Sequence, residues 1–388
     1  MDDLRKRKVL FVTPNTGMGG SLIALISLCN SLKETNYEPI VIYNKKGSAY
    51  HLLEENEIKN IQIPFYNWGV PIGYKMNIKR RIKRIRDILV NFLADIRIAR
   101  LIHTEGIELV HINSSWTYVG VLAAKIKKVP VIWHFREAME EDQNSTPWGG
   151  FWNRLFDKVE MIVTISDFIT QKAKTRTTNH NIRRIYDGVS TEKYFIDMAD
   201  KPVNDMTEFL MSGTMLVNDG KGFLIAIEAC RELQIDNTNN YHLTILGTGD
   251  NLQKIESLIH QYGLEKNIIL AGRQSDTRAY YKNADCFIMA SKSEGFGLVT
   301  VEAMLGGCFV IGSASGATPE LINGGEVGLL FSVGDSKALA DKMKQVIGDS
   351  TFVKNKARCG QVFACDNFSS NQNTEKIVEL YDSLCVGE

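Results

Sequence analysis

The chain has 388 residues, 44% hydrophobic and 23% charged, with only 8 prolines, the composition of a globular protein with length enough for two cores. It contains no run of about 18 uncharged apolar residues, which excludes a membrane-spanning helix. Lys+Arg and Asp+Glu balance at 45 each, but residues 1–200 hold 29 against 22 and residues 201–388 hold 16 against 23. The first half is therefore the one drawn to anionic partners. The seven cysteines include no Cys-x-x-Cys pair, and residues 1–8 lead into a short strand rather than a signal-peptide core. Both features fit reduced thiols in a cytoplasmic protein.

Residues 8–13 read as a buried first strand, 14–20 as a loop with Gly17, Gly19 and Gly20, and 21–32 as a helix with apolar residues at helical spacing. Strand, glycine loop, helix is how a doubly wound α/β domain begins. Gly-x-Gly-Gly is a loose match to a dinucleotide fingerprint, and a tight turn explains it as well as a ligand does. Residues 38–43, 108–113, 129–135 and 160–166 are further short apolar strands, so the half reads as repeated β–α units.

Residues 78–99 predict an amphipathic helix. Ile78, Ile82, Ile85, Ile88, Leu89, Phe92, Leu93 and Ile96 recur at helical spacing, with Lys79, Arg80, Arg81, Lys83, Arg84 and Arg86 between them. Such a helix either lies on an anionic bilayer or packs on a core with a solvated basic face. No nucleic-acid-binding motif accompanies it, so nucleic acid is not expected as a partner. His134 closes the strand at 131–135; strand carboxyl ends face the ligand crevice of an open parallel sheet, which favours a site over a satisfied core histidine. Residues 139–150 read as a polar, mobile loop over that cleft. Residues 190–207, polar and without periodicity, read as an interdomain linker.

A second β–α series follows, with strands at 208–212, 242–246, 267–271, 284–290 and 308–312. Its loops carry the chemistry. Lys221 stands at a helix start after the loop at 213–222, where a point charge and free backbone N–H groups can hold a phosphate. Gly247-Thr248-Gly249 and Arg273 follow two more strands, and Pro319 opens a helix after Gly316. The stretch 291–307 holds Glu294, then Gly295 and Gly297, then Glu302. A fully helical path from Glu294 to Glu302 would rise about 12 Å. That exceeds the roughly 5–9.5 Å separating a glycosidase carboxylate pair, and suits two acids gripping opposite ends of a long ligand.

Glu294-Gly295-Phe296-Gly297 with Glu302-Ala303-Met304 resembles the Glu-x7-Glu motif of the retaining glycosyl transferases of group 1, with the GT-B fold. Gly316-Ala317-Thr318-Pro319-Glu320, Gly328-Leu329-Leu330, Lys221-Gly222, Asp187-Gly188-Val189 and Gly19-Gly20 fall in the family's order. The resemblance covers essentially the whole chain. It implies an α/β fold of two facing Rossmann-like doubly wound domains: 1–200 on the acceptor side, 201–365 on the nucleotide-sugar side, and a helix in 366–388 crossing back. It implies that Glu302 binds ribose hydroxyls and Glu294 sugar hydroxyls. Lys221 neutralises the departing diphosphate, and His134 contacts the donor sugar. Gly19, Gly20, Thr214, Gly295, Phe296, Gly297 and Leu298 line the donor, with Arg273 near the base. The family places an Arg where this chain has Thr214, so half of the usual diphosphate clamp is missing.

The expected activity is retaining transfer of a sugar from a nucleoside-diphosphate donor to an acceptor hydroxyl. No Asp-x-Asp motif occurs, so neither metal nor cofactor is expected. The basic helix points to a lipid-linked glycan acceptor at an anionic membrane surface, as in capsule, O-antigen or exopolysaccharide assembly. The rivals are a nucleotide-sugar epimerase of the same architecture and a silent donor-binding partner of another transferase.

Overall fold

The computed structural model describes residues 5–14, 19–75, 77–148 and 150–385. They divide into two compact units: residues up to Gly188 together with those from Ser370, and Val189–Ser369.

In the first unit, β1 (Arg7–Thr13), β2 (Tyr37–Tyr43), β3 (Lys59–Gln62), β4 (Ile107–Ile112), β5 (Val131–Phe135), β6 (Met161–Thr164) and β7 (Ile182–Arg184) form one parallel sheet. Its order is β3-β2-β1-β4-β5-β6-β7, so the winding reverses between β1 and β4, where doubly wound sheets bind ligands. Val9, Leu10, Phe11 and Val12 are all fully buried. Helices cover both sheet faces, which is why the strand is a continuous apolar run rather than an alternating one.

Helix α1 (Gly20–Leu32) follows β1 with Gly19 at its N-cap. Helix α2 (Ile78–Glu105) is capped by Asn77, whose side chain accepts from Arg80 N at 2.9 Å, and ends at Gly106 in the left-handed region (φ 65°). Its C-terminal half packs inward through Ala94, Ile98, Ala99 and Ile102. Further toward its N-terminus the inward positions are polar, Asp87 and Asn91, and the apolar ones face out: Ile78, Ile82, Ile85, Leu89, Phe92 and Leu93 are exposed, from 50% at Phe92 to 77% at Ile78. Of the apolar positions read from the spacing, only Ile88 and Ile96 are partly covered.

The second unit repeats the plan. Strands β8 (Thr207–Ser212), β9 (Tyr241–Leu246), β10 (Ile268–Gly272), β11 (Cys286–Met289), β12 (Phe309–Ser313) and β13 (Leu329–Phe331) form a parallel sheet of order β10-β9-β8-β11-β12-β13. Phe209, Ile227, Leu243, Ile288 and Ile311 are among its core residues. Helices α3 (Phe223–Ile235) and α4 (Leu298–Leu305) follow β8 and β11.

Two expectations need correction. The polar stretch read as a linker belongs to the second unit: residues Thr191–Tyr194 are helical, and Lys201 Nζ donates to the carbonyls of Tyr281, Ala284 and Gly306 at 2.7, 2.8 and 3.0 Å. Val189 N also bonds Phe368 O at 2.9 Å, so the units divide at Gly188/Val189 rather than after residue 200. The C-terminal helix Ser370–Cys385 packs in the first unit, its Tyr381 fully buried there. The stretch read as a mobile loop instead holds a helix, Met139–Gln143, and a strand, Ser145–Pro147, antiparallel to Gly69–Pro71. Buried Met139 anchors it, which the surrounding polar residues conceal; Gly149 lies outside the described residues.

Candidate functional site

In the second unit the loops after β8, β11 and β12 converge at the carboxyl edge of the sheet. Lys221 Nζ stands 2.5 Å from Glu294 Oε1, and the Ser291 hydroxyl donates to the same oxygen at 2.6 Å. Backbone bonds lace the loops together: Lys292 N to Gly220 O, and Ala317 N to Glu294 O, both at 2.9 Å. Two glycines make this approach feasible. A Cβ on Gly222 (φ +73°) would lie 2.1 Å from Ala290 O, and one on Gly316 (φ +57°) 2.5 Å from the Glu294 backbone. Neither position tolerates a side chain.

Gly297, at φ 104°, caps α4, so Leu298 opens the helix and Glu302 lies one turn in. Burial pushes the Glu302 carboxyl above its usual range, and the hydrogen bond from the Tyr281 hydroxyl, the nearby Lys193 charge and the neighbouring Tyr194 hydroxyl pull it back. The Tyr281 contact is 2.9 Å. The Phe296 ring is buried edge-on against Phe368 at 5.7 Å between centroids, so the ring itself does not face a ligand. Gly295 is buried beside it.

Thr214 is exposed in the loop after β8, and Arg273 is exposed just past β10. No basic side chain stands at 213–220. Lys292, absent from the expected set, reaches into that loop and donates from Nζ to Asn218 O at 2.7 Å.

The first unit holds the remaining expected residues. Gly19 is extended (φ −114°), and a Cβ there would meet nothing within 4 Å. The backbone at Gly19 thus does not require glycine; Gly20 begins α1, and Gly17 lies outside the described residues. His134, at the carboxyl end of β5, is fully buried. Its Nδ1 is 3.1 Å from His111 Nε2, and His111 Nδ1 is 2.7 Å from the Tyr381 hydroxyl. Burial and the neighbouring Arg136 charge push both imidazoles well below their ordinary value, so both are neutral. Arg136 pairs with Asp187 in the interior and donates from Nε to Asn113 Oδ1 at 2.9 Å.

His111, Tyr381, Tyr281 and the Arg136–Asp187 pair were not singled out from sequence. His111 carried a signal: it lies near the end of β4, beside β5, as His134 does on its own strand. Tyr281 and Tyr381 carried none.

Of the basic residues on α2, Lys79, Arg80, Arg81, Lys83 and Arg86 are exposed. Arg84 is turned inward to Gly69 O at 3.2 Å and to Asp87 at 3.6 Å. Among the described residues no helix is long and apolar enough to cross a membrane.

Residues 196–361 match the family model described as glycosyl transferases group 1, and residues 18–193 match that of glycosyltransferase family 4. An uncharacterised glycosyltransferase of Methanocaldococcus jannaschii is 24% identical over 376 residues, 95% of each chain. The Campylobacter jejuni α-1,4-N-acetyl-D-galactosaminyltransferase named for a diNAcBac-PP-undecaprenol-linked glycan is 23% identical over 89% of this chain and 90% of that protein. The Anabaena HepE structure, solved with UDP, superposes with a TM-score of 0.79 at 20% identity, covering 97% of this chain and 100% of that one. With two Rossmann-like domains and these matches along its length, the chain belongs to the glycosyl transferases of group 1.

Proposed function

We propose that this glycosyltransferase moves a sugar, with retention and without a metal ion, from a nucleoside diphosphate to a lipid-linked glycan in surface-polysaccharide assembly. The observation that carries the reading is the Lys221–Glu294 pair, held at 2.5 Å where three strand-end loops meet. A cation and a carboxylate so placed serve the two ends of the bond to be broken. A bound diphosphate draws the Lys221 ammonium from Glu294, and the freed carboxylate accepts from sugar hydroxyls. Charge growing on the leaving phosphate is stabilised by Lys221 and backbone N–H groups, the kind of electrostatic contribution that dominates such catalysis. Glu302 holds the ribose, and His134 an oxygen of the donor sugar. Leaving phosphate and incoming hydroxyl share one face of an oxocarbenium-like sugar, so no enzyme nucleophile takes part.

The HepE complex with UDP and the undecaprenol-linked substrate in the C. jejuni enzyme's name support this donor and acceptor class by analogy. The exposed apolar stripe of α2, edged by Lys79, Lys83 and Arg86 on one side and Arg81 on the other, supports docking on an anionic membrane.

A panel of nucleotide-sugars incubated with the protein in EDTA tests the reading. Nucleoside diphosphate should be released from one of them, and Glu294→Ala and Lys221→Ala should each abolish release. Nucleotide binding without release at any acceptor would sink it in favour of a silent binding partner. Conversion of the donor's sugar to its epimer, whether free or still nucleotide-linked, would favour an epimerase.

A further inference from the structure

Tyr381, His111 and His134 form a hydrogen-bonded chain inside the first unit. The Tyr381 hydroxyl meets His111 Nδ1 at 2.7 Å, and His111 Nε2 meets His134 Nδ1 at 3.1 Å. Phe11 stacks on the His111 ring with centroids 4.8 Å apart, which fixes its plane. The far end of the chain is open: His134 Nε2 is buried and has no hydrogen-bond partner among the described residues.

Two neutral proton arrangements satisfy these distances. In one, Tyr381 donates to His111 Nδ1, His111 Nε2–H donates to His134 Nδ1, and His134 is left with an unpartnered Nε2–H. In the other every bond is reversed. His134 Nε2 is then an unpartnered lone pair, and the Tyr381 proton also has no acceptor, because that hydroxyl makes no other hydrogen bond among the described residues. The first arrangement strands one buried polar group and the second strands two, so the first is favoured. The groups facing the chain are Arg136, whose positive charge opposes protonation of either ring, and Cys29, Tyr37 and Cys385 beside Tyr381, whose thiols and hydroxyl are pushed up by burial and hold no charge at neutral pH.

We infer that Tyr381 is a positioning residue which, acting through His111, sets His134 in the Nε2–H tautomer. His134 then presents a neutral N–H donor to an oxygen of the ligand at the carboxyl end of β5. A neutral donor binds an uncharged hydroxyl without the cost of a buried cation and delivers no proton to it. In glycosyl transfer, on which this part of the inference rests, that oxygen belongs to the donor sugar.

Tautomers are read in the ligand-free, full-length protein by long-range ¹H–¹⁵N correlation on ¹⁵N-histidine, with His111→Gln and His134→Gln for assignment. The wild type should show His134 with a protonated Nε2 and a bare Nδ1, unchanged from pH 5.5 to 8. Tyr381→Phe removes only the hydroxyl and should convert both rings to mixed or reversed tautomers, while circular dichroism confirms the fold. A Nδ1–H tautomer at His134 in the wild type, or unchanged tautomers in Tyr381→Phe, would overturn the inference. With a donor that the wild type turns over, Tyr381→Phe should lower kcat about tenfold at unchanged acceptor KM, and His134→Gln should retain more turnover than His134→Leu. Full turnover in Tyr381→Phe would overturn it too. If the wild type turns over no donor, the transferase reading fails, and the tautomer measurement alone decides the relay.

Discussion

The Tyr281 hydroxyl donates to Glu302 at 2.9 Å, and that carboxylate is only 8% exposed. Burial raises the Glu302 pKa, and the tyrosine bond partly offsets it. A group whose folded pKa is raised gives stability that is complete below its unfolded value and is lost as pH rises through the folded value. Tyr281→Phe removes a donor to the ionised form and raises the folded value further. The variant should therefore be less stable than wild type by about 1–3 kcal/mol at pH 7.5, with the gap narrowing toward pH 4. Urea unfolding at the two pH values checks this; an equal gap at both would show that the hydroxyl does not act through the carboxylate.

Lys221 and Glu294 form a half-exposed pair, with side-chain exposures of 32% and 13%. Such a pair adds about 1 kcal/mol or less to folding, so Lys221→Ala should leave the thermal midpoint nearly unmoved. Its effect on transfer should be much larger: removing one group that stabilises transition-state charge costs about 10²–10³ in kcat. Comparing kcat with the melting temperature separates the two roles, and a matched loss in both would reduce the pair to a structural contact. Because Thr214 is exposed and uncharged, Lys292 is the next cation to test; Lys292→Ala should lower kcat less than Lys221→Ala.

The repeated β–α plan was legible because parallel strands buried on both faces are continuous apolar runs, as at Val9–Val12. The strands Lys59–Gln62, Ile182–Arg184 and Leu329–Phe331 escaped because each is only three or four residues long and lies at a sheet edge. Glu294, Glu302 and Lys221 were legible from glycine-bearing loops after strands. Their partners were not. Tyr281 is 21 residues from Glu302, and Tyr381 is 270 from His111, so only the fold brings them together. Spacing on α2 showed an amphipathic helix but could not say whether its apolar face was covered; packing alone decides that.

Asp95 on α2 accepts from Gly120 N at 2.7 Å and Ala123 N at 3.4 Å, capping the helix Val121–Lys127. Burial nonetheless pushes its pKa from 3.8 up to about 6. The folded value is the raised one, so the wild type loses stability as pH climbs from about 4 to 6, by about 3 kcal/mol for a shift of that size. Asp95→Asn keeps an acceptor oxygen and removes the titration. It should be the more stable protein at pH 7, with the advantage vanishing near pH 4. Denaturant midpoints across that range measure the difference; a pH-independent gap would show that Asp95 does not titrate there.

The exposed stripe on α2 gives the membrane proposal its sharpest consequence. Ile78, Ile82, Ile85, Leu89, Phe92 and Leu93 fall along one face at 3.6 residues per turn and are all at least half exposed. The helix packs on its unit through Asp87, Asn91, Ala94, Ile98 and Ile102 instead, which leaves the apolar stripe for the membrane proposal to use. Each apolar side chain that enters the bilayer interface contributes up to about 1.5–3 kcal/mol, and each cation near an anionic surface about 1 kcal/mol. Wild type should pellet with phosphatidylglycerol vesicles and only weakly with phosphatidylcholine alone. Neutralising the exposed cations at 79, 80, 81, 83 and 86 should abolish that lipid preference, and salt should mimic the change in wild type. Ile82→Gln/Ile85→Gln/Leu89→Gln should reduce pelleting at least tenfold in high salt as well as low, because the apolar contribution is not screened. Pelleting of either variant equal to wild type would remove α2 from the membrane contact.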